Sequence, residues 1–291
     1  PAVAQSAAHS WAPLEAETFR VRCGPDYKRY GRKEASRPAH GEVVAMDCVR
    51  TKGKMMHIMQ RGFIELPEPS PNWSESYPEF LVINQCLPAH FHFRLIPTES
   101  ADGETYHVLT YVRLRAGLAA GWDGEGEPSG PEELFKRFML RADVDDKVAN
   151  GLKEIGVVQN LGELSRYLPS GLRGLLTKFN GKPILTRPEQ KFFRGPQNRY
   201  LEVDLDCHRY SLSTRTAVSQ LLKYIGHTEM GFGLVVEART EEQMPETMAF
   251  CCTILRLAKE RVPDFPPSEA KEPAPPSIAD SDAVALLADA S

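Results

Sequence analysis

Residues 19–37 carry the cations Arg20, Arg22, Lys28, Arg29, Arg32, Lys33 and Arg37, interleaved with Phe19, Tyr27 and Tyr30 and opposed only by Asp26 and Glu34. Clustered cations beside aromatic rings suit phosphate headgroups, because a basic residue near an anionic surface contributes roughly 1 kcal/mol. Arg20, Arg22, Lys28, Arg29, Arg32 and Lys33 are therefore candidates for headgroup or anion binding. The plainer alternative is a solvated basic face balanced by acids elsewhere.

A second constellation is acidic. Glu202, Asp204 and Asp206 alternate with Leu201, Val203 and Leu205, so the three carboxylates share one face of a strand. Hard cations such as calcium take several oxygen ligands. Same-side residues on a strand nevertheless sit roughly 7 Å apart, too far for all three to grip one ion. Pairing with Arg194, Arg199, Arg209 or Arg215 is the expected arrangement. His90 and His92 share a strand face at a spacing that metal sites on sheets use, and His107 could oppose them across a hairpin. Two histidines underdetermine a zinc site, so they are weak candidates and no metal or other cofactor is expected. No G-x-S-x-G elbow, phosphate loop or dinucleotide fingerprint occurs, which argues against an enzyme and assigns no catalytic residue.

The elements that must hold these residues are legible from periodicity. Alternation predicts strands over residues 17–23, 42–49, 80–87, 106–115, 200–206, 232–238 and 250–257, the run at 80–87 being almost wholly apolar and central. Residues 90–96 are expected to pair with 106–115 through the turn at Ala101-Asp102-Gly103. Gly130-Pro131-Glu132-Glu133 predicts a helix start, with Leu134, Phe135, Phe138 and Met139 on one face. A second helix is expected from an Asp143 cap through Val144, Val148, Leu152 and Ile155 to Gly156, then further helical turns over 161–179, broken at Pro169. Ser213 or Thr214 opens a last helix that Gly226 stops. Two sheet-forming blocks around a helical block predict an α+β fold: a curved, mainly antiparallel sheet with the helices packed on one side.

The chain has 291 residues, 42% of them hydrophobic, well above the level of disordered sequences, so a folded body is expected. A net charge of −4 disfavours nucleic acid as a partner. No stretch approaches the roughly 20 apolar residues needed to cross a bilayer, so the expected location is cytoplasmic or membrane-peripheral. An organellar location is expected if Pro1-Ala2-Val3 marks a processed terminus. Cys23, Cys48, Cys86, Cys207, Cys251 and Cys252 are widely spaced and read as small buried hydrophobes. Three regions are expected: an extended arm over 1–14, one domain over 15–260, and a Pro/Ala-rich acidic tail over 261–291 whose residues 262–291 could contact a protein partner.

The later half contains Phe179-Asn180-Gly181-Lys182-Pro183-Ile184-Leu185, then Phe193-Arg194-Gly195, then Tyr200-Leu201-Glu202-Val203-Asp204-Leu205-Asp206. Further runs are Glu241-Glu242-Gln243-Met244-Pro245-Glu246, an opening Trp11, Phe19-Arg20-Val21-Arg22 and Tyr27, and an apolar strand ending Asn84 to Pro88. In order and spacing over residues 11–258 these resemble the C-terminal domain of the plant enhanced-disease-resistance proteins, a family of eukaryotic domains, with Met244 where the family has leucine. The resemblance assigns no catalytic residues. In plants the domain often accompanies a START-type lipid domain and a phosphoinositide-reading domain, which implies membrane lipids as its context. The expectation is thus a non-catalytic protein that binds lipid or another hydrophobic small molecule and touches an anionic membrane surface. Phe80, Val82, Phe91, Phe93, Phe232 and Leu234 are candidates to line its apolar pocket, although core packing is the commonest fate of such residues. The alternative is a structural or adaptor subunit of a larger assembly, such as an organellar one, held by the arm and the tail.

Overall fold

Alternating apolar side chains build two sheets, each with one face turned toward the other. The computed structural model describes residues 10–62, 64–89, 103–118, 126–186 and 189–265. The first five-stranded sheet has the order β4 (Gly41–Thr51), β6 (Thr105–Leu114), β5 (Phe80–Pro88), β10 (Tyr200–Asp206), β9 (Gln190–Arg194). The second runs β1 (Ser10–Pro13), β12 (Met248–Leu255), β11 (Glu229–Val236), β7 (Leu152–Val158), β8 (Pro183–Leu185). A small ribbon pairs β2 (Arg20–Arg22) with β3 (Lys33–Ala35). The paired strands are antiparallel except β5 and β10, which run parallel from Tyr200 opposite Phe80 to Asp206 opposite Cys86. The architecture is α+β and mainly antiparallel, with the strands divided between two open sheets.

Period-two alternation decides which side chains meet. Leu81, Ile83, Leu201 and Val203 from the first sheet pack against Phe232, Leu234 and Phe250 from the second. The helix α2 (Pro131–Arg141) adds Phe135, Phe138 and Met139 to this central layer. On the outer face of the first sheet, Phe80, Val82, Leu109 and Tyr111 lie under Met55, Ile58 and Met59 of the preceding loop. On the outer face of the second, Ile155 and Val235 lie under Ala16, Phe19 and Val21. Both faces of both sheets are thus covered in part. That is why β5 reads as a near-continuous apolar run, and it occupies the centre of its sheet as its composition predicts. Five of the six cysteines are buried, and all six are free thiols.

One expected element is replaced. The helix read over 143–156 is a single turn, α3 (Asp146–Ala149), capped by Asp145, whose side chain accepts from the Lys147 and Val148 amides. Val144 is 72% exposed, so it cannot belong to a buried helical stripe. Asn150-Gly151 then turn the chain into β7, which pairs with β11 from Leu152 to Val158 and with β8 from Lys153 to Ile155. Apolar residues at 144, 148, 152 and 155 imitate a helical period, and strand pairing on both sides overrides it. The expected strand at 90–96 lies outside the described residues.

Candidate functional site

Two helices stand off the end of the second sheet and leave space beneath them. After the one-turn α4 (Leu161–Leu164), the helix α5 (Ser170–Phe179) follows Pro169 and places Leu172, Leu175, Leu176 and Phe179 at i, i+3, i+4 and i+7, one apolar face. Its neighbour α6 (Leu212–Leu222) is capped by Ser211, whose hydroxyl accepts from the Thr214 amide at 3.3 Å, two or three residues before the Ser213 or Thr214 start expected from sequence. Val218, Leu221 and Leu222 face inward from it. Between these helices and the sheet lies a cavity of about 250 Å³, floored by Gly156, Val158, Phe232 and Ile254. Gly156 contributes by lacking a side chain: a Cβ there would meet only the Met230 sulfur at 3.6 Å, and any longer side chain would enter the cavity. Phe179, 49% exposed, and Lys182 line the cavity where it approaches the surface.

The floor has one polar end. Glu154 of β7 faces the cavity, and its Oε1 accepts from Gln85 Nε2 at 3.0 Å. Its Oε2 accepts from the Tyr210 hydroxyl at 3.4 Å. Glu154 keeps some accessible area where it faces the cavity, yet protein surrounds it. Burial pushes its carboxyl up to about 7, outweighing the hydrogen bonds from Tyr210 and Gln85 that pull it down. Sequence reading missed Glu154, because it placed the residue on a helix. The signal it carried was an acid just before the strand-like run Ile155-Gly156-Val157-Val158.

The expected pocket residues do not share a wall. Phe232 lines the cavity, while Leu234 lies in the layer between the sheets. Phe80 and Val82 are fully buried beneath the loop that covers the first sheet. Phe91 and Phe93 lie outside the described residues, as do His90 and His92.

The acidic row on β10 is a docking strip for that covering loop. Glu202 Oε1 accepts from the Ile58 amide at 2.8 Å, and Asp204 Oδ2 accepts from the His57 amide at 2.6 Å. Asp204 Oδ1 accepts from Asn84 Nδ2 at 3.0 Å, and Asp206 pairs with Lys54 at 2.6 Å. The arginines expected here are engaged elsewhere: Arg194 with Asp143, Arg199 with Glu79, and Arg215 with the Tyr210 carbonyl. Arg209 makes no ion pair with the row among the described contacts. Burial raises both Glu202 and Asp204, and the neighbouring Asp204 raises Glu202 further, so the two titrate as a unit. His107 also serves this loop, its Nε2 accepting from the Met55 amide at 3.2 Å. Among the described residues no group of three or more His, Cys, Asp or Glu could hold a metal ion.

The basic segment divides. Arg22 turns inward to Glu246 and Glu237 and lies 5.0 Å from the centre of the Tyr27 ring. Arg20 donates to the Lys33 carbonyl at 2.5 Å. Lys28, Arg29 and Arg32 remain exposed around the one-turn α1 (Tyr27–Tyr30), beside Tyr30 at 61% exposure, while Lys33 is half-buried. Among the described residues no helix is long and apolar enough to cross a membrane.

No curated protein and no solved structure matches this chain. The family described as Protein ENHANCED DISEASE RESISTANCE 2, C-terminal matches residues 11–258, which include both sheets, the cavity and the basic turn. The chain therefore belongs to the ENHANCED DISEASE RESISTANCE 2 C-terminal family.

Proposed function

We propose that this protein is a non-catalytic binding protein that holds a hydrophobic small molecule between α5, α6 and the second sheet. The observation that carries the reading is the cavity itself: about 250 Å³, walled by aliphatic and aromatic side chains, with a small polar group at one end. Ligand sites commonly have that composition and a volume of roughly 300–1,000 Å³. At about 250 Å³ the cavity falls just below that range, which suits a single chain or a small ring system and excludes a two-tailed lipid from full enclosure.

Native mass spectrometry of the purified chain, followed by solvent extraction, tests the reading. A stoichiometric apolar molecule is expected, and Gly156→Val is expected to lose it while keeping the melting temperature of the extracted, ligand-free wild type. Val218→Trp blocks the same space from the opposite wall and guards against a folding defect in the first variant. Bare masses for the wild type, together with no uptake of any added apolar probe, would remove the proposal.

Contact with an anionic membrane surface is the second part of the reading, supported by the exposed Lys28, Arg29 and Arg32. Reversing all three to Glu is expected to weaken co-sedimentation with phosphatidylserine vesicles by more than about tenfold, since each cation near such a surface contributes roughly 1 kcal/mol. Unchanged co-sedimentation would assign that turn to solvent.

A further inference from the structure

We infer that the molecule held in the cavity carries a hydrogen-bond donor, a hydroxyl or an amino group, at the end that meets Glu154. This rests on the cavity being a ligand site and adds the chemical class of its occupant: a small apolar alcohol or amine.

Donors and acceptors at the polar floor are unequally filled. Gln85 and Tyr210 each direct a donor at Glu154, one to each carboxylate oxygen. An ionised carboxylate has about four acceptor sites, so two such bonds leave capacity unfilled on the side open to the cavity. The Tyr210 hydrogen is spent on Glu154, and so is one of the Gln85 amide hydrogens. What the floor, with Glu154 ionised, still offers an incoming molecule is therefore mainly acceptor. A donor completes that set, whereas a ligand carboxylate would set acceptor against acceptor and one negative charge against another.

The walls reinforce the choice. Val158, Leu176, Leu221 and Phe232 can offer a polar headgroup nothing. Thr214 also lies on the lining, but its hydroxyl is paired with that of Ser211 at 2.9 Å, so Glu154 is the one anionic acceptor the wall presents. Asn180 lies on the lining but is engaged, its side chain bonding both the amide and the carbonyl of Val158. Lys182 is exposed and 5.8 Å from the centre of the Phe179 ring, at the surface end.

Protonation then separates the candidate classes. The titratable groups that face Glu154 are Tyr210 and Cys207 from the turn after β10, with Lys182 at the rim. Burial raises both Tyr210 and Cys207 well above their ordinary values, so both stay neutral across the working range. Glu154 alone changes charge near neutrality. An alkylamine, already cationic, gains its partner as the pH rises from 6 to 8. An alcohol can donate to the carboxylate or accept from the carboxylic acid, so its affinity is nearly flat. A fatty acid binds better as the pH falls.

The test is calorimetric titration of the full chain at pH 6 and pH 8 with octylamine, 1-octanol, octanoate and heptyl methyl ether. The ether matches the alcohol in size but has no donor. At pH 8 the amine and the alcohol are expected to bind about tenfold or more tighter than the ether and octanoate, the range for a hydrogen bond to a charged group. The amine is expected to tighten between pH 6 and 8, and Glu154→Gln is expected to abolish that slope with the fold retained in a thermal melt. Gly156→Val supplies the background for adventitious amine binding. Ether or octanoate bound as tightly as the alcohol and amine would overturn the donor assignment while leaving the cavity a ligand site. No probe bound above the Gly156→Val background would overturn both.

Discussion

Arg22→Ala is expected to lower the stability of this protein by about 3–5 kcal/mol, the range for removing one partner of a buried ion pair. Glu246 is the reason: its side chain is 4% exposed and has no route to solvent that would let it rehydrate. It accepts from Arg22 Nε at 2.8 Å and Nη2 at 2.5 Å, and from the Ala238 amide at 3.0 Å. The Arg22 backbone adds a fourth, longer bond at 3.3 Å. The same guanidinium reaches the Ala238 carbonyl at 2.6 Å and Glu237 at 3.4 Å. One side chain thus fastens β2 to the connection between β11 and β12. Truncation leaves a carboxylate buried with two backbone bonds and no cation. Arg22→Lys should recover only part of the loss, because an ammonium is a point charge and cannot fork between Glu246, Glu237 and a carbonyl. Arg29→Ala, on the exposed turn a few residues away, should stay within about 0.5 kcal/mol of the wild type. Urea denaturation of the three variants reads the difference directly. Equal losses for Arg22→Ala and Arg29→Ala would mean that the pair is solvated in solution.

This contrast also shows where sequence reasoning stops. Arg22 and Arg29 belong to one basic run, and no local pattern separates the arginine that ties two elements together from the one that meets solvent. Their fates are set by Glu246, more than two hundred residues away. The strand at 200–206 was legible to the residue, and so was the shared face of Glu202, Asp204 and Asp206. Their partners were not, because two of the three carboxylates bind backbone amides, and an amide carries no sequence signature. The helix α2 was legible from Gly130-Pro131 and its apolar face, whereas β7 was hidden by a chance helical spacing. The cavity draws on β5, β7, β11, β12 and two helices, so it exists only as a product of assembly. Of the apolar residues singled out in advance, Phe232 reached it; Phe80, Val82 and Leu234 went to the core, where two-sided coverage of the sheets left them no open space.

Glu154→Gln is expected to stabilise the unliganded protein at pH 8 and to make no difference at pH 4. The wild-type carboxyl titrates near 7 in the folded chain against an ordinary value of 4.5, burial being the main cause. The folded state therefore holds this proton more tightly than the unfolded state does. The associated stability is fully present below pH 4.5 and is lost as the pH rises through 7. At about 1.4 kcal/mol per pH unit, the loss approaches roughly 3–4 kcal/mol well above pH 7, and less where water in the cavity solvates the carboxylate. Glutamine keeps the shape and stays neutral throughout, so the gap between variant and wild type should open across that window and then level off. Denaturation midpoints at pH 4, 6 and 8 measure it; a gap that is flat with pH would place the carboxyl in ordinary solvent and empty the polar floor of its meaning. An alkylamine added at pH 8 should narrow the gap, because it supplies the ionised carboxylate with the charge and the donor it lacks. Glu154 then weakens the empty protein and strengthens the filled one, which is how a group placed for a ligand differs from one placed for the fold.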